Sequence, residues 1–266
     1  MFVEPMPSFD PSPVLATKGD MSVRLADSDE EIVEAQKLRY RVFYEELNAR
    51  PNAAAAAARI DADRFDRSCD HLIVTNGSTL VGTYRLLRQE VAEAHGGFYT
   101  QGEFDIAPLV AAHPNLRFLE LGRSCVLEPF RTRPVVELLW QGIWNYVRHY
   151  RLDVMLGCAS LEGTDPGRHA ATLTFLAQNR AAPAEWRVRA HPHRYVEMNR
   201  LPATSVDVKA ALKQLPPLIK GYLRLGCYIG EGAVIDEEFN TIDVLIVLPV
   251  STIDARYFTH FGQPNG

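Results

Sequence analysis

Apolar residues recur along the first third of the chain at two different spacings, one typical of a helix and one of strands. Ser28 begins the capping pattern Ser-Asp-Glu-Glu, and the apolar residues after it follow at helical spacing. This pattern predicts a helix over about 29–47. Two apolar runs at 71–75 and 78–87 are separated by Asn76-Gly77, a dipeptide typical of a tight turn, and predict an antiparallel hairpin.

The middle of the chain continues with alternating strand and helix patterns. An apolar stretch over 116–126 predicts another strand, and Pro134 then lies in the first turn of an amphipathic helix. Val154 to Cys158 predicts a short buried strand, and Thr164-Asp165-Pro166 predicts the start of a further helix. Hairpin strands followed by a strand-helix-strand unit predict a mixed sheet flanked by helices, of the α/β or α+β class.

The length and the distribution of proline predict three segments. Residues 1–20 contain prolines at 5, 7, 11 and 13 without any hydrophobic period, which predicts a flexible leader. A chain of 266 residues suits one α/β domain with additions. We therefore expect a core over 21–200 and a C-terminal extension over 201–266 that packs on it.

Composition and charge exclude several other classes of protein. The chain is 47% hydrophobic and 23% charged, as in an ordinary globular protein, and it has no apolar stretch close to the ~20 residues that a membrane span requires. A net charge of −5 argues against a general nucleic-acid binder. Glu4 and Asp10 lie among prolines where a secretory signal would have a basic and then an apolar stretch, so we expect a cytoplasmic protein. Its cysteines are isolated and have no metal-ligand spacing, which disfavours disulfides and a metal site. The cysteines are Cys69, Cys125, Cys158 and Cys227.

Four short motifs occur in a fixed order between residues 38 and 160. They are Arg39-x-x-Val-Phe43, Asp63-x-x-Asp66, Gly82-Thr-Tyr-Arg85-Leu and Glu120-Leu-Gly-Arg123. Together they resemble the signature that acyl-homoserine-lactone autoinducer synthases share with the ornithine Nα-acyltransferases of ornithine-lipid synthesis. A second match near the C-terminus, over 217–226 with Asp236 and 241–244, resembles the ornithine group specifically.

This resemblance implies both a fold and a reaction. The fold is the acetyltransferase-like (GNAT) fold, a mixed central sheet flanked by helices. The reaction is the transfer of a 3-hydroxyacyl group from acyl carrier protein to the α-amine of L-ornithine, which gives a lyso-ornithine lipid. It implies no metal and no dissociable cofactor apart from the phosphopantetheine of the donor. Because the product is lipid-like, the resemblance also implies peripheral contact with the inner membrane.

The turn that binds coenzyme A in ordinary members of this fold has an unusual sequence here. It corresponds to residues 131–136, where Pro134 removes an amide donor and two valines add side chains. This departure favours a donor carried by acyl carrier protein. Residues 131–200 contain ten arginines against six acids, so we expect Arg131 and Arg133 to dock the acidic carrier protein. The alternative is an ordinary solvated surface.

The resemblance also implies roles for the motif residues. Glu120 is the expected general base, since an α-amine must lose a proton before it attacks a thioester. Arg123 lies on the opposite side of a regular strand, and a β-bulge would bring it into the same pocket. Alternatively, Glu120 only pairs with Arg123 on an exposed strand face.

The remaining motif residues are expected to form an ion-pair network and a pocket wall that bind the amino-acid substrate. The alternatives are a purely structural ion-pair cluster and, for the aromatic residues, a place in the core. This predicted substrate-binding set is Arg39, Phe43, Asp63, Asp66, Arg85 and Phe104.

Three other functions compete with ornithine acylation. An autoinducer synthase would use S-adenosylmethionine as acceptor, and the C-terminal match disfavours it. An acyl-coenzyme A transferase is disfavoured by the sequence of the turn at 131–136. A non-catalytic module that binds acyl groups or carrier protein would have no chemical need for the full set of charged motif residues.

Overall fold

The computed structural model describes residues 14–254, whose strands pair into one mixed sheet. The strands are β1 (Ala16–Lys18), β2 (Met21–Leu25), β3 (Asp70–Asn76), β4 (Thr79–Arg88), β5 (Phe118–Val126), β6 (Val154–Glu162), β7 (Tyr195–Val196), β8 (Tyr228–Asp236) and β9 (Thr241–Pro249). Among the described residues their order in space is β1-β2-β3-β4-β5-β6-β9-β8-β7. The pair β5–β6 is parallel and the other pairs are antiparallel, which confirms the predicted mixed sheet.

Helices cover both faces of this sheet. They are α1 (Asp29–Tyr40), α2 (Ala53–Ala58), α3 (Gln89–Ala94), α4 (Ala107–Ala112), α5 (Arg133–Tyr150), α6 (Ala170–Asn179), α7 (Val208–Gln214) and α8 (Pro217–Leu225). Ser28 caps α1, since its hydroxyl accepts a hydrogen bond from the Glu31 amide at 3.3 Å. A π-helical segment, Arg41–Glu46, continues α1, so the helix predicted over 29–47 is confirmed.

The long helix α5 lies directly against the sheet and supplies much of the apolar core. Its inward side chains, among them Leu138 and Ile143, pack with Leu72 of β3 and Val23 of β2. A Cβ atom added at Gly142 would lie 2.8 Å from Val23 Cγ2, so this helix approaches the strands at a distance that only glycine permits. α1, α3 and α4 lie on the opposite face, where a second apolar cluster surrounds α3 and α4.

The structure differs from the predicted leader in residues 16–18. These residues form β1, which pairs with β2 through a turn at Gly19. The Asn145 side chain of α5 also donates a hydrogen bond of 2.8 Å to the Leu15 carbonyl. Edge pairing and this contact hold the segment in place. Residues 1–13 lie outside the described part of the chain.

The C-terminal segment also differs from an extension packed on a finished core. Its strands β8 and β9 lie inside the sheet, and β9 pairs with the whole of β6 from Val154 to Glu162. The short strand β7, which precedes the expected boundary at 200, pairs with β8 on the far side. The sheet is therefore incomplete without residues 228–249.

The helix α6 begins later than the sequence predicts. Its expected start was 164–166, but it begins at Ala170, because Asp165 accepts a hydrogen bond from the Gly167 amide at 2.8 Å and forms a turn. Between residues 14 and 254 no helix has both the length and the apolar character needed to cross a membrane.

Candidate active site

The two parallel strands β5 and β6 separate in the middle of the sheet. Their pairing ends at Glu120 and Leu156, whereas β5 remains paired with β4 up to Val126. At the point of separation a Cβ atom on Gly157 would lie only 2.2 Å from the Leu121 carbonyl oxygen, so glycine is required there. Beyond this point the edge of β5 that faces β6 has no strand partner among residues 14–254, and an opening passes through the sheet.

A β-bulge turns Arg123 into this opening. Arg85 pairs with Gly122 and Thr83 pairs with Cys125, so β5 has one more residue than β4 across this interval. Arg123 itself has φ of +52°, the left-handed conformation of a bulged residue. The predicted bulge is confirmed, and it places the Arg123 and Glu120 side chains on the same face of the sheet.

A cleft of about 1340 Å³ follows the opening from one face of the sheet to the other. Its polar end lies on the face that carries α1 and α3, and its apolar arm lies between α5 and α8. The polar end is lined by Arg85, Tyr99, Thr100, Glu120, Arg123, Cys158, Ser160, Asp236 and Asp243. The apolar arm is lined by Leu139, Trp140, Ile143, Trp144, Met155, Leu218, Gly221, Leu225 and Ile253.

Glu120 lies at the polar end and is 5% exposed. Its two carboxylate oxygens accept hydrogen bonds from the backbone amides of Tyr99 at 2.9 Å and Thr100 at 2.7 Å. Burial raises the pKa of Glu120, although these hydrogen bonds and the nearby Arg85 oppose the shift. Glu120 therefore fixes the turn at Tyr99 and is also a carboxylate with increased proton affinity at the wall of the cleft.

A network of three arginines and three aspartates lies beside Glu120. In its deepest part Arg39, 1% exposed, contacts Asp61 and Asp66, each at 2.8 Å. Burial opposes ionisation of Asp66, but the hydrogen bond and charge of Arg39 outweigh it and hold the pKa of Asp66 well below its usual range. Arg39 and Asp66 therefore neutralise each other inside the protein, and neither lines the cleft.

The outer part of the network reaches the cleft through two arginines. Arg85 contacts Asp63 at 2.7 Å and Asp66 at 3.3 Å, and Arg123 contacts Asp63 at 3.1 Å and Asp61 at 3.4 Å. The Arg123 guanidinium also lies over the rings of Tyr99 and Phe239. Of the predicted charged set, Arg85 and Arg123 are thus the members with cleft-facing surface, while the aspartates orient them.

The two predicted aromatic residues occupy different places. Phe43 lines the cleft and packs edge to face on Phe239, with ring centroids 5.5 Å apart. Phe104 is fully buried in the apolar cluster around α3 and α4 and does not line the cleft. The structure therefore corrects the substrate-binding role expected for Phe104, because the ring packs among core side chains. The sequence alone did not distinguish a core position from a position in the pocket wall.

Sequence reasoning missed an acidic group at the same end of the cleft. Glu103, Cys158 and Asp243 place a carboxylate, a thiol and a carboxylate within 4.8 Å of one another, a donor set that could hold a divalent ion. The thiol of Cys158 donates to Glu103 Oε2 at 3.2 Å. Asp236 and Asp243 belong to the C-terminal match without an assigned role, whereas nothing in the sequence marks Glu103 or Cys158. Asp61 was missed in the same way.

The start of α5 forms the rim of the cleft. Arg131, Thr132 and Arg133 line it, and Pro134 occupies the first turn of the helix. Arg131 pairs with Glu46 and donates a hydrogen bond of 3.0 Å to the Val126 carbonyl, so it is held against the protein. Arg133 is 88% exposed and contacts Glu137 at 2.6 Å within its own helix. Both expected docking residues are thus exposed, and Arg133 projects further into solvent than Arg131, whose side chain is 39% exposed.

Comparison with known proteins gives consistent similarities. Residues 38–141 match the model of the acetyltransferase (GNAT) domain. The chain is 52% identical to the L-ornithine N(alpha)-acyltransferase of Agrobacterium fabrum, over 92% of this chain and 86% of the relative. It is 50% identical to the protein of the same name from Brucella abortus, over 94% and 91%.

Among solved structures, the chain resembles FeeM, an N-acyl amino acid synthase from uncultured soil microbes. The TM-score is 0.51 at 13% identity, over 87% of this chain and 91% of FeeM. This likeness supports the GNAT fold that the sequence resemblance implied.

Proposed function

We propose a donor, a product and a set of residue roles from one premise: the chain belongs to the L-ornithine N(alpha)-acyltransferase family and is an acyltransferase. The acceptor is the α-amine of L-ornithine, the donor is a 3-hydroxyacyl group on acyl carrier protein, and the product is a lyso-ornithine lipid. The relatives' names do not favour the autoinducer-synthase alternative. The observation that carries the proposal is the cleft, which joins an apolar arm to a buried carboxylate through the opening between β5 and β6.

The two ends of the cleft suit the two substrates. An acyl chain gains free energy from burial against apolar side chains, and the arm between α5 and α8 offers Trp140, Trp144 and Leu218. The acceptor amino acid then occupies the polar end, where Arg123 provides a cation for its carboxylate. The thioester lies at the opening between the strands, so the reacting amine and carbonyl meet there.

Glu120 acts as the proton acceptor for the attacking amine. Burial increases its affinity for a proton, and a carboxylate that accepts the Tyr99 amide and the Thr100 amide and hydroxyl still retains lone-pair capacity for the substrate. The tetrahedral oxyanion that forms on the thioester carbon requires hydrogen-bond donors. Backbone amides of β5 between Arg123 and Val126, on the edge without a strand partner, are suited to this role. No metal or dissociable cofactor takes part in this transfer.

The start of α5 suits the single phosphate of a phosphopantetheine arm. Pro134 has no amide donor, and Val136, 42% exposed, adds an apolar side chain at the cleft rim, where a pyrophosphate needs close backbone approach. The exposed Arg133 then provides a contact for acidic carrier protein. A second supporting feature is the excess of arginine over acids in residues 131–200.

Mass spectrometry of lipid extracts tests the reaction. A host without aminolipids expressing this chain should accumulate Nα-(3-hydroxyacyl)ornithine, and Glu120→Gln should strongly reduce its amount. Glu93→Gln, which changes an exposed glutamate on α3, is the matched control and should leave the product unchanged. An acyl-homoserine lactone in place of acylornithine, or no acylated amine at all, would refute the proposed function.

The donor is tested with purified substrates. Acyl carrier protein should support turnover at a far lower concentration than the same acyl group on coenzyme A. Arg133→Glu should raise KM for the carrier-protein donor, while Arg67→Glu, an equal charge reversal at an exposed position outside 131–200, should not. Equal efficiency of both donors would overturn the carrier-protein assignment. Flotation of the protein with lipid vesicles that contain the product tests the proposed peripheral membrane contact.

A further inference from the structure

Asp243 is a buried carboxylate that faces the cleft without a neutralising cation. It lies on β9, is 4% exposed, and lines the polar end. Its Oδ1 accepts a hydrogen bond from the Thr241 hydroxyl at 2.9 Å, and the Ser160 hydroxyl also bonds to it. Across residues 14–254 no lysine, arginine or histidine nitrogen lies within ion-pair distance of it. Buried carboxylates are ordinarily paired with a cation, and Asp243 shares the lack of such a partner in the described part of the chain with Glu120 and Asp236 at the same end of the cleft.

The surroundings of Asp243 contain further acidic groups. Glu103, 2% exposed, has its carboxylate within 4.8 Å of that of Asp243, with the Cys158 thiol between them. Arg194 lies 3.7 Å from Glu103, and Arg123, which lines the same end of the cleft, acts on Asp243 by its charge from beyond ion-pair distance. The backbone turn at Asp236, on the neighbouring strand β8, brings a third acid to the same end. Carboxylates therefore outnumber cations in this part of the cleft.

The pKa values of Glu103 and Asp243 agree with this excess of carboxylates over cations. Burial, and after it the charge of Asp243, raises the pKa of Glu103 to about 7. Burial also raises the pKa of Asp243 to about 6. A cation that enters between them would stabilise both ionised forms. The two carboxylates thus favour a cationic ligand group over a neutral or anionic one.

We propose that Asp243, with the buried charge of Glu103 behind it, binds the terminal ammonium group of a diamino acid acceptor and so determines which amino acid is acylated and on which nitrogen. This inference rests on the proposed function. An ammonium group has three donors, and Asp243 on the cleft wall provides an acceptor carboxylate for them, while Glu103 adds negative charge from behind the wall. Holding the side-chain amine in its protonated form makes it unreactive, since only a neutral amine attacks a thioester. The α-amine remains near Glu120, which removes its proton.

The test compares two acceptors that differ only in the terminal amine. L-Norvaline has the carbon skeleton of ornithine without that amine. With acyl carrier protein as donor, Asp243→Asn should raise KM for ornithine about ten- to a hundredfold, the usual effect of losing a charge-assisted hydrogen bond. KM for norvaline, already high in the unsubstituted protein, should change little. Continued norvaline turnover shows that the variant is folded.

A matched control removes an acid from the same hairpin. Glu237→Gln changes an exposed glutamate between β8 and β9 and should leave KM for both acceptors unchanged. An unchanged KM for ornithine in Asp243→Asn, or an equal rise for both acceptors, would overturn the inference while acylation of ornithine by the unsubstituted protein continued. A tightly bound metal in the purified protein that is lost in Asp243→Asn would also overturn it. Absence of ornithine acylation in the unsubstituted protein would instead refute the proposed function.

Discussion

Replacing Glu120 by glutamine separates its proposed chemical role from its structural one. In the native site both carboxylate oxygens accept backbone amides, from Tyr99 and Thr100. Glutamine retains one acceptor oxygen but places an NH₂ group against the second amide. One buried amide therefore loses its partner, and the side chain can no longer take a proton from the substrate amine.

The two consequences have different magnitudes. An unsatisfied buried amide lowers the free energy of unfolding by about 1–3 kcal/mol. Domains of this kind have a stability of about 5–15 kcal/mol, so the variant stays almost entirely folded. Loss of a general base lowers kcat by about 10²- to 10⁴-fold. A small unfolded population cannot produce a loss of that size.

The assay measures kcat with saturating ornithine and acyl donor, together with urea unfolding of the same preparation. The unsubstituted protein should lose activity as pH falls through the raised pKa of Glu120, because only the ionised carboxylate accepts a proton. The residual activity of Glu120→Gln should lack that dependence. Turnover close to that of the unsubstituted protein, or an activity loss that matches the unfolded fraction, would refute the role of Glu120 in proton transfer.

Three further predictions concern the network, the acidic pair and the apolar arm. Arg39→Leu should lower the free energy of unfolding by about 3–5 kcal/mol in urea titration, because two buried aspartates lose their closest cation and keep only the longer contacts with Arg85 and Arg123. A loss below 1 kcal/mol would show that the network is dispensable. The raised pKa of Glu103 contributes stability that is fully present below about pH 4, the pKa of an unfolded glutamate, and is lost as pH rises through about 7. Glu103→Gln should therefore flatten the plot of unfolding free energy against pH across that range. Parallel plots for the two proteins would contradict the raised pKa of Glu103. Gly221→Leu should shift the products toward shorter acyl chains in mass spectra, because a Cβ added at this position would lie 3.8 Å from Trp140 and a longer side chain would fill the apolar arm. Gly221→Ala is the control. An unchanged chain-length distribution in Gly221→Leu would place the acyl chain elsewhere.

Signals between near neighbours in the chain were sufficient to predict several elements. The Ser28 cap and the Asn76-Gly77 turn specify their helix and hairpin through contacts within a few residues, and both occur where expected. The motif resemblance correctly indicated the fold and the family. The bulge at Arg123 was also predicted, although its confirmation required the register of β4 against β5.

Contacts between distant segments decided the rest. The acidic pair joins Glu103, which carries no signal in the sequence, to Asp243, whose motif match gave it no role. The pair arises only when β9 is inserted beside β6. Phe104 illustrates the same limit, since an apolar residue has the same pattern in a core and in a pocket wall. The sequence by itself determined the local elements, the fold family and most of the charged network. Tertiary structure determined which of these groups face the cleft and which neutralise one another, because burial and charge pairing depend on the packing of strands far apart in the chain.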